Sequence, residues 1–290
     1  MTARHGGCLL VMAAVAASAV PNGPYVSLDE TSPTVISEPA NGKALSPEQF
    51  DELVQCDPLA SIAAGLTRYK RDVRGMTATL LKQERIGKTL YPQEVVRVAI
   101  REEPFAVLMI WESGIRNSAE GTLYVAGENA GSMKVWRPNA LLAKSLTLGT
   151  KESLARAASR YCLAESGLYH GQLRTYVRWK AVRDEGTIQV EYRGKKAVPE
   201  LGGTICHELV RTCNQPECDR YCSDEKPKSA EGAPDAFVTA TIYLDAETGY
   251  QVGARLIRAD GELVGSYFFR DITFNPVFPA GQFTTDAFKK

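Results

Sequence analysis

The chain has 290 residues, carries 34 Lys plus Arg against 34 Asp plus Glu, and is 44% apolar. A charge balance of this kind lacks the basic excess with which nucleic-acid binders neutralise phosphates, so nucleic acid is excluded as a partner class. The length suffices for one large core or barrel, and no segment beyond the N-terminal leader is long and apolar enough to span a membrane.

The first residues, MTARHGGCLLVMAAVAASAVPN, place Arg4 ahead of an apolar run from Cys8 to about Val15, followed by Ala17-Ser18-Ala19. This is the pattern of a secretory signal peptide over residues 1–19, and the run is shorter than the roughly 20 residues a membrane helix needs. Cys8 precedes the apolar core, which is the wrong place for a lipid-attachment cysteine. Residues 20–45 are rich in Pro, Ser, Thr, Asn and Gly and read as a flexible tether. The expected product is periplasmic or secreted.

The folded domain is expected over 46–290. Ser46-Pro47-Glu48-Gln49 forms a capping-box start, with Pro47 at the first helical position. A second helix starts at Asp57-Pro58, with Leu59, Ile62, Ala63, Leu66 and Tyr69 on one stripe. From Val73 the period falls to two. GMTATLLKQERIGKTLYPQEVVRVAIR predicts a long hairpin turning near Gly87-Lys88, and PFAVLMIWE, GTLYVAGE and GSMKVWRP predict short strands. Thr150 is a candidate cap for KESLARAAS. Ser166 is a candidate cap for a helix reaching about Arg183, with Tyr169, Leu173, Tyr176 and Val177 on one face. Strands resume with TIQVEY, TICHELVRT, AFVTATIYL, YQVGARLIR and ELVGSYFFRDITF, the last two joined by Asp260-Gly261, a type I′ signal. The count is nine or ten strands, an α+β arrangement.

Four cysteines and a histidine crowd CHELVRTCNQPECDRYC, residues 206–222. Structural zinc sites favour C-x(2–4)-C spacing, twice, whereas the gaps here are six, four and three residues, and Cys206 and Cys213 point to opposite faces of a regular strand. His207-Glu208 lacks the second histidine of an HExxH helix. With export, the even set Cys56, Cys162, Cys206, Cys213, Cys218 and Cys222 favours disulfides over metal, and no metal is expected. Cys213 and Cys218 flank a plausible Asn-Gln-Pro-Glu turn, so the cluster reads as a crosslinked hairpin over 204–235.

Both alternating faces of Phe105–Trp111 are apolar, so this strand must be covered on both sides, by a helix on one and by core or a cavity on the other. Neighbouring strands add Met133, Val135, Trp136, Tyr267, Phe268 and Phe269; an ordinary packed core is the competing reading. No nucleophile elbow, P-loop or dinucleotide fingerprint is present in a supporting context. Lys82-Gln83-Glu84-Arg85 is the densest charged run on a strand. Cross-strand pairing with Gln93, Glu94 and Arg97 is favoured there over a catalytic carboxylate, and Asp271 is equally ambiguous. No catalytic machinery, cofactor or enzyme activity is expected.

The stretches TATLLKQERIGKTLYPQEVVRVAIREEPFAVLMIW, LYVAGENAGSMKVW and YFFRDITFNPVFPAGQF resemble the secreted bacterial family of domain of unknown function 1571 over about residues 58–290. That family resembles in turn the outer-membrane lipoprotein carrier superfamily. The resemblance implies a curved antiparallel half-barrel of about nine to eleven strands, with helices covering its concave face. It also implies non-enzymatic carriage of a hydrophobic ligand, a lipid or lipoprotein acyl chain, through the envelope, with Phe105, Val107, Met109, Trp111, Met133 and Trp136 as candidate lining. An envelope protein partner is compatible with it. The alternative is a ligand-free exported scaffold of the same fold.

Overall fold

The structure, a computed structural model, describes residues 45–220 and 232–289 apart from positions 117, 142, 185 and 187. The leader, nearly all of the tether, Cys222 and the tip of the cysteine-rich hairpin lie outside the described residues.

Two helices come first, α1 (Pro47–Cys56) and α2 (Pro58–Asp72). The capping box forms in full: Ser46 Oγ accepts from the Gln49 amide at 3.2 Å, and the Ser46 amide donates to Gln49 Oε1 at 2.9 Å. Asp57 ends α1 and caps α2, accepting from the Ala60 amide at 3.0 Å. Leu59, Ile62, Leu66 and Tyr69 are buried as the stripe predicts, and Ser61 and Gly65 join them.

The strands are β1 (Gly75–Ile86), β2 (Thr89–Leu90), β3 (Glu94–Arg101), β4 (Ala106–Ser113), β5 (Gly121–Val125), β6 (Ser132–Trp136) and β7 (Ser145–Gly149). After α3 (Ser153–Ala158) and α4 (Leu168–Asp184) come β8 (Gln189–Val198), β9 (Thr204–Glu217), β10 (Phe237–Asp245), β11 (Gln251–Ile257) and β12 (Leu263–Phe274). The sheet order is β7-β6-β5-β4-β3-β1-β12-β11-β10-β9-β8, with β2 paired to β1 alone. Every pairing is antiparallel. Two meanders are therefore sewn together by one long-range ladder, β1 on β12, running from Met76↔Phe274 to Glu84↔Gly265. β7 and β8 remain edges, so the sheet is an open half-barrel in an α+β fold.

The helices occupy one face. Phe50 and Val54 of α1, Leu59, Ile62 and Leu66 of α2 and Trp179 of α4 pack on Leu209, Ile242 and Leu244. The double-sided apolar character of β4 has a two-part explanation. Phe105, Val107 and Met109 face the helix side. Ala106 and Leu108 face outward, where Phe278, Phe283 and Phe288 of the C-terminal segment cover them together with Ile110. The outer cover is thus chain beyond the last strand, where a helix, core or cavity was expected.

Local expectations need five further corrections. β7 was not foreseen, and its last residue binds the next helix start: the Gly149 amide donates to Glu152 Oε1 at 2.6 Å, and Glu152, not Thr150, stands at the N-cap of α3. Ser166 does not cap α4; it closes a 3₁₀ turn over Leu163–Glu165, and its hydroxyl donates back to Cys162 O at 3.4 Å. The most buried residues of α4 are Leu168, Gln172, Trp179 and Val182, with Tyr169, Leu173 and Tyr176 flanking them half-buried. In the β11–β12 turn only Gly261 has positive φ, at 85°, and its amide donates to Arg258 O. Asp260 therefore does not adopt the conformation that a type I′ turn demands.

The buried Gln172 holds the helical layer in place. Its Nε2 donates to Ile62 O at 2.9 Å and to Gly249 O at 3.1 Å, while its Oε1 accepts from the Gln251 amide at 3.0 Å. α2, α4 and the β10–β11 turn meet at this amide, and Gly65 lets them approach: a methyl group there would collide with the Gly249 carbonyl oxygen and Gln172 Nε2. In an exposed helix interior, Gly→Ala stabilises by about 1 kcal/mol. At this site the sign should invert. Gly65→Ala is expected to destabilise by about 2 kcal/mol in urea unfolding, from overpacking and from the loosened amide; a stabilised variant would show that α2 and the turn are not in contact.

Candidate functional site

Residues directly opposite each other across an antiparallel ladder share a face, and here one row runs through four strands. Met109 opposes Thr122, Thr122 opposes Val135, Val135 opposes Leu146, and Met133 opposes Leu148. This row faces the helical side, but α3, only six residues long, brings mainly Leu154 and Ala155 toward it. The sheet there is wider than its cover. A cavity of about 660 Å³ remains, walled by the row, by Leu80 and Leu163, and further along by Gly171, Thr175 and Trp179 of α4. That size lies within the range of small-molecule pockets.

Of the six candidate lining residues, Met109, Trp111 and Met133 stand in the cavity wall. Phe105 and Val107 share their face but sit in the packed core beside it. Phe105 meets His170 edge-on with centroids 4.9 Å apart. Burial lowers the His170 pKa to about 4, so it is neutral at ordinary pH and packs as an aromatic. Trp136 lies on the opposite face, stacked on Phe288 at 6.0 Å and 6°. The physical reason is parity: Met133 and Val135 point inward on β6, so Trp136 points outward. Missing from the sequence reading were Leu146 and Leu148. Their signal was present in the alternation Ser-Leu-Thr-Leu, but five residues between polar turns gave little to weigh.

The charged run on β1 forms a buried four-charge cluster at the cavity wall. Lys82 Nζ lies 3.2 Å from both Glu84 Oε2 and Glu94 Oε2, and Arg116 pairs with the same two carboxylates. Trp111 Nε1 donates to Glu94 at 2.6 Å, and the Tyr267 hydroxyl and the Arg160 amide donate to Glu84 Oε1 at 3.0 and 3.2 Å. Lys82↔Glu94 is a cross-strand pair as expected. Gln93 and Arg97 do not take part: Arg97 pairs with Glu112 at an exposed position. Burial by itself would raise the Glu84 pKa, but the charges of Lys82 and Arg116 and the hydrogen bonds from Lys82 and Tyr267 hold it low. Asp271 is exposed, beside Arg270, at φ 54°.

A second cluster lies where α4 faces β9. Arg160 Nη2 contacts Asp219 Oδ1 at 2.7 Å, and the Tyr161 hydroxyl donates to Asp219 Oδ2 at 2.6 Å. Arg178 and Arg211 both bind Glu217, and Arg174 lies 3.9 Å from Glu165 and 4.0 Å over the Tyr161 ring. Burial pushes the Asp219 and Glu217 pKa values up, yet for Asp219 the Arg160 charge, and for Glu217 the hydrogen bonds from Arg178 and Arg211, outweigh it. Both carboxylates are held ionised.

The cysteine-rich strand builds no convergent site among the described residues. The expected disulfides do not form among Cys56, Cys162, Cys206 and Cys213, which are free thiols. Cys206 and Cys213 are buried in separate clusters, in line with their opposite facing. The expected turn between Cys213 and Cys218 is a bulge instead. β9 continues to Glu217, and its pairing with β10 slips between Thr239↔Thr212 and Phe237↔Glu217. The bulge returns Glu217 to Arg211. Burial raises the Cys206 and Cys213 pKa values to about 12, so these thiols stay protonated. His207 turns to α1, with Nε2 3.2 Å from Asp51 Oδ1. No group of three potential metal ligands converges among the described residues, and no described helix is long and apolar enough to cross a membrane.

The half-barrel is open and encloses a largely apolar hollow. Residues 73–288 match the family described as Protein of unknown function (DUF1571), and the chain belongs to that family. No curated protein matches significantly. Solved structures similar to it include the Pseudomonas aeruginosa MucA/MucB complex, at 14% identity and TM-score 0.42 over 79% of this chain and 62% of that one. The chain thus spans less than two thirds of the MucB-type chains it matches. Mycobacterium tuberculosis lipoprotein LppX matches at 17% identity and TM-score 0.39, over 77% and 98%. A LolA superfamily protein from Nitrosomonas europaea matches at 9% and 0.28, over 77% and 97%.

Glu84→Gln leaves Lys82 and Arg116 sharing Glu94 alone, and should cost about 3–5 kcal/mol at pH 7. A carboxylate with a lowered folded-state pKa contributes stability above its unfolded pKa and loses it as pH falls through the folded value. Chemical denaturation from pH 7 to pH 2 should therefore show a shallower acid loss in Glu84→Gln than in the parent; parallel curves would mean that Glu84 is not held ionised by these partners.

Proposed function

We propose that the cavity binds the hydrocarbon part of a lipid or lipoprotein acyl chain and holds it without chemical turnover. The carrying observation is the largely apolar row Met109, Thr122, Val135 and Leu146, with Met133 and Leu148 beside it, facing a hollow of about 660 Å³. Each methylene moved from water to such a wall gains about 0.8 kcal/mol, so a chain of about fourteen carbons gains on the order of 10 kcal/mol gross. The losses of ligand freedom and of side-chain order reduce that figure.

Both charge clusters are internally engaged: their carboxylates are held by Arg and Lys partners, and neither presents a nucleophile with an adjacent base. This supports binding over catalysis. The signal-like leader supports a periplasmic or secreted site of action. Entry and release would move the α3 segment. It is tied to the segments flanking the tip of the cysteine-rich hairpin by Arg160 on Asp219 and on Asp235 O, and by Arg220 on Arg156 O.

Filling the hollow tests the reading. A fluorescent fatty acid should show saturable binding to the parent protein, and Met133→Trp should weaken it at least tenfold while shifting Tm by only a few degrees. If the parent gives no saturable signal, or if Met133→Trp binds as well as the parent, the cavity is not the site.

A further inference from the structure

The cavity wall is largely apolar along β4–β7, carries the Lys82–Glu84–Glu94–Arg116 cluster to one side, and gathers arginines where α4 faces β9. Arg174 and Arg178 stand one turn apart on α4, and Arg211 reaches the same hollow from β9. Four guanidinium groups, those of Arg160, Arg174, Arg178 and Arg211, share three carboxylates, Glu165, Glu217 and Asp219. Two donors in this cluster are left over: the Nε–H groups of Arg174 and Arg211 are buried and have no acceptor among the described residues. Arg211 is only 1% exposed. A buried charged donor without an acceptor is costly, and structures retain such groups where something else completes them.

The geometry points to an anion-binding pole: we propose that the ligand is an acyl chain bearing an acidic headgroup, with its carboxylate or phosphate oxygens accepting from Arg174 and Arg211 while the chain lies along the β4–β7 row. This rests on the binding reading above and narrows its ligand class to acidic lipids. Guanidinium suits the task, since its planar donor fork matches carboxylate and phosphate oxygens. The aromatic face of Tyr161 beneath Arg174 fixes the fork's plane without consuming its donors.

The test uses the full chain and cis-parinaric acid against its methyl ester, which differ only in the anionic group. The parent should bind the acid at least tenfold more tightly than the ester. Arg174→Gln should erase most of that preference by weakening the acid alone, and Arg174→Lys should restore part of it. Displacement of the acid by dioctanoyl phosphatidate, with dioctanoylglycerol as the uncharged control, separates a phosphate from a carboxylate preference; either acid outcompeting its neutral counterpart supports the pole. Equal affinity for acid and ester in the parent overturns the pole and leaves the hydrophobic cavity standing. So does an Arg174→Gln variant that weakens both probes equally. Failure of both probes to bind overturns the cavity reading itself.

Discussion

A sheet with apolar residues on both faces has to be covered on both, and the way this one is covered determines the remainder of the molecule. The outer face of β3–β6 is closed by the chain's own end, with Phe278, Phe283 and Phe288 lying over Ala99, Ala106, Leu108 and Leu123. The inner face is closed unevenly. α1, α2 and α4 pack directly on β9 and β10, pinned through Gln172. Over β4–β7 the cover among the described residues is mainly the six-residue α3 and a 3₁₀ turn. Cover runs short at that end, and the hollow follows from the shortage.

Charge near such a hollow would ordinarily draw in water and weaken its affinity for hydrocarbon. The two clusters limit this in different ways. Lys82, Arg116, Glu84 and Glu94 balance two against two and take further hydrogen bonds from Trp111, Tyr267 and the Arg160 backbone. The α4–β9 cluster instead keeps two buried guanidinium Nε–H donors, on Arg174 and Arg211, without an acceptor among the described residues. Arg160 links the two, its amide on Glu84 and its guanidinium on Asp219. Because the same residue also ties the α3 segment to Asp219 and Asp235, which follow the cysteine-rich strand, the roof and the charged wall are mechanically joined.

Most of the fold could be read in the sequence because it is written in local signals. The capping box at Ser46, the Asp57-Pro58 start, the continuous apolar run of β4 and the alternating runs of β1, β3 and β9–β12 each act within a few residues. Legibility failed where long-range contacts decide. Gln172 is polar, so no apolar stripe marks it as the centre of the α4 interface. Trp136 and Met133 look alike in a short strand until neighbouring strands fix which parity faces inward. Ser166 competes for two roles, and the preceding 3₁₀ turn takes it. Half of the candidate lining, Met109, Trp111 and Met133, reached the cavity. The cationic pole was invisible because Arg174, Arg178 and Arg211 come from segments that only the fold brings together.

The most direct measurement of the central claim is native mass spectrometry of the protein purified without detergent and then incubated with an acyl lipid extract. The account requires stoichiometric adducts with masses of acyl-chain lipids, one per chain, surviving gentle activation. A spectrum that contains only the bare polypeptide mass before and after incubation would contradict it, because a hollow with this wall could not then be sheltering hydrocarbon from water.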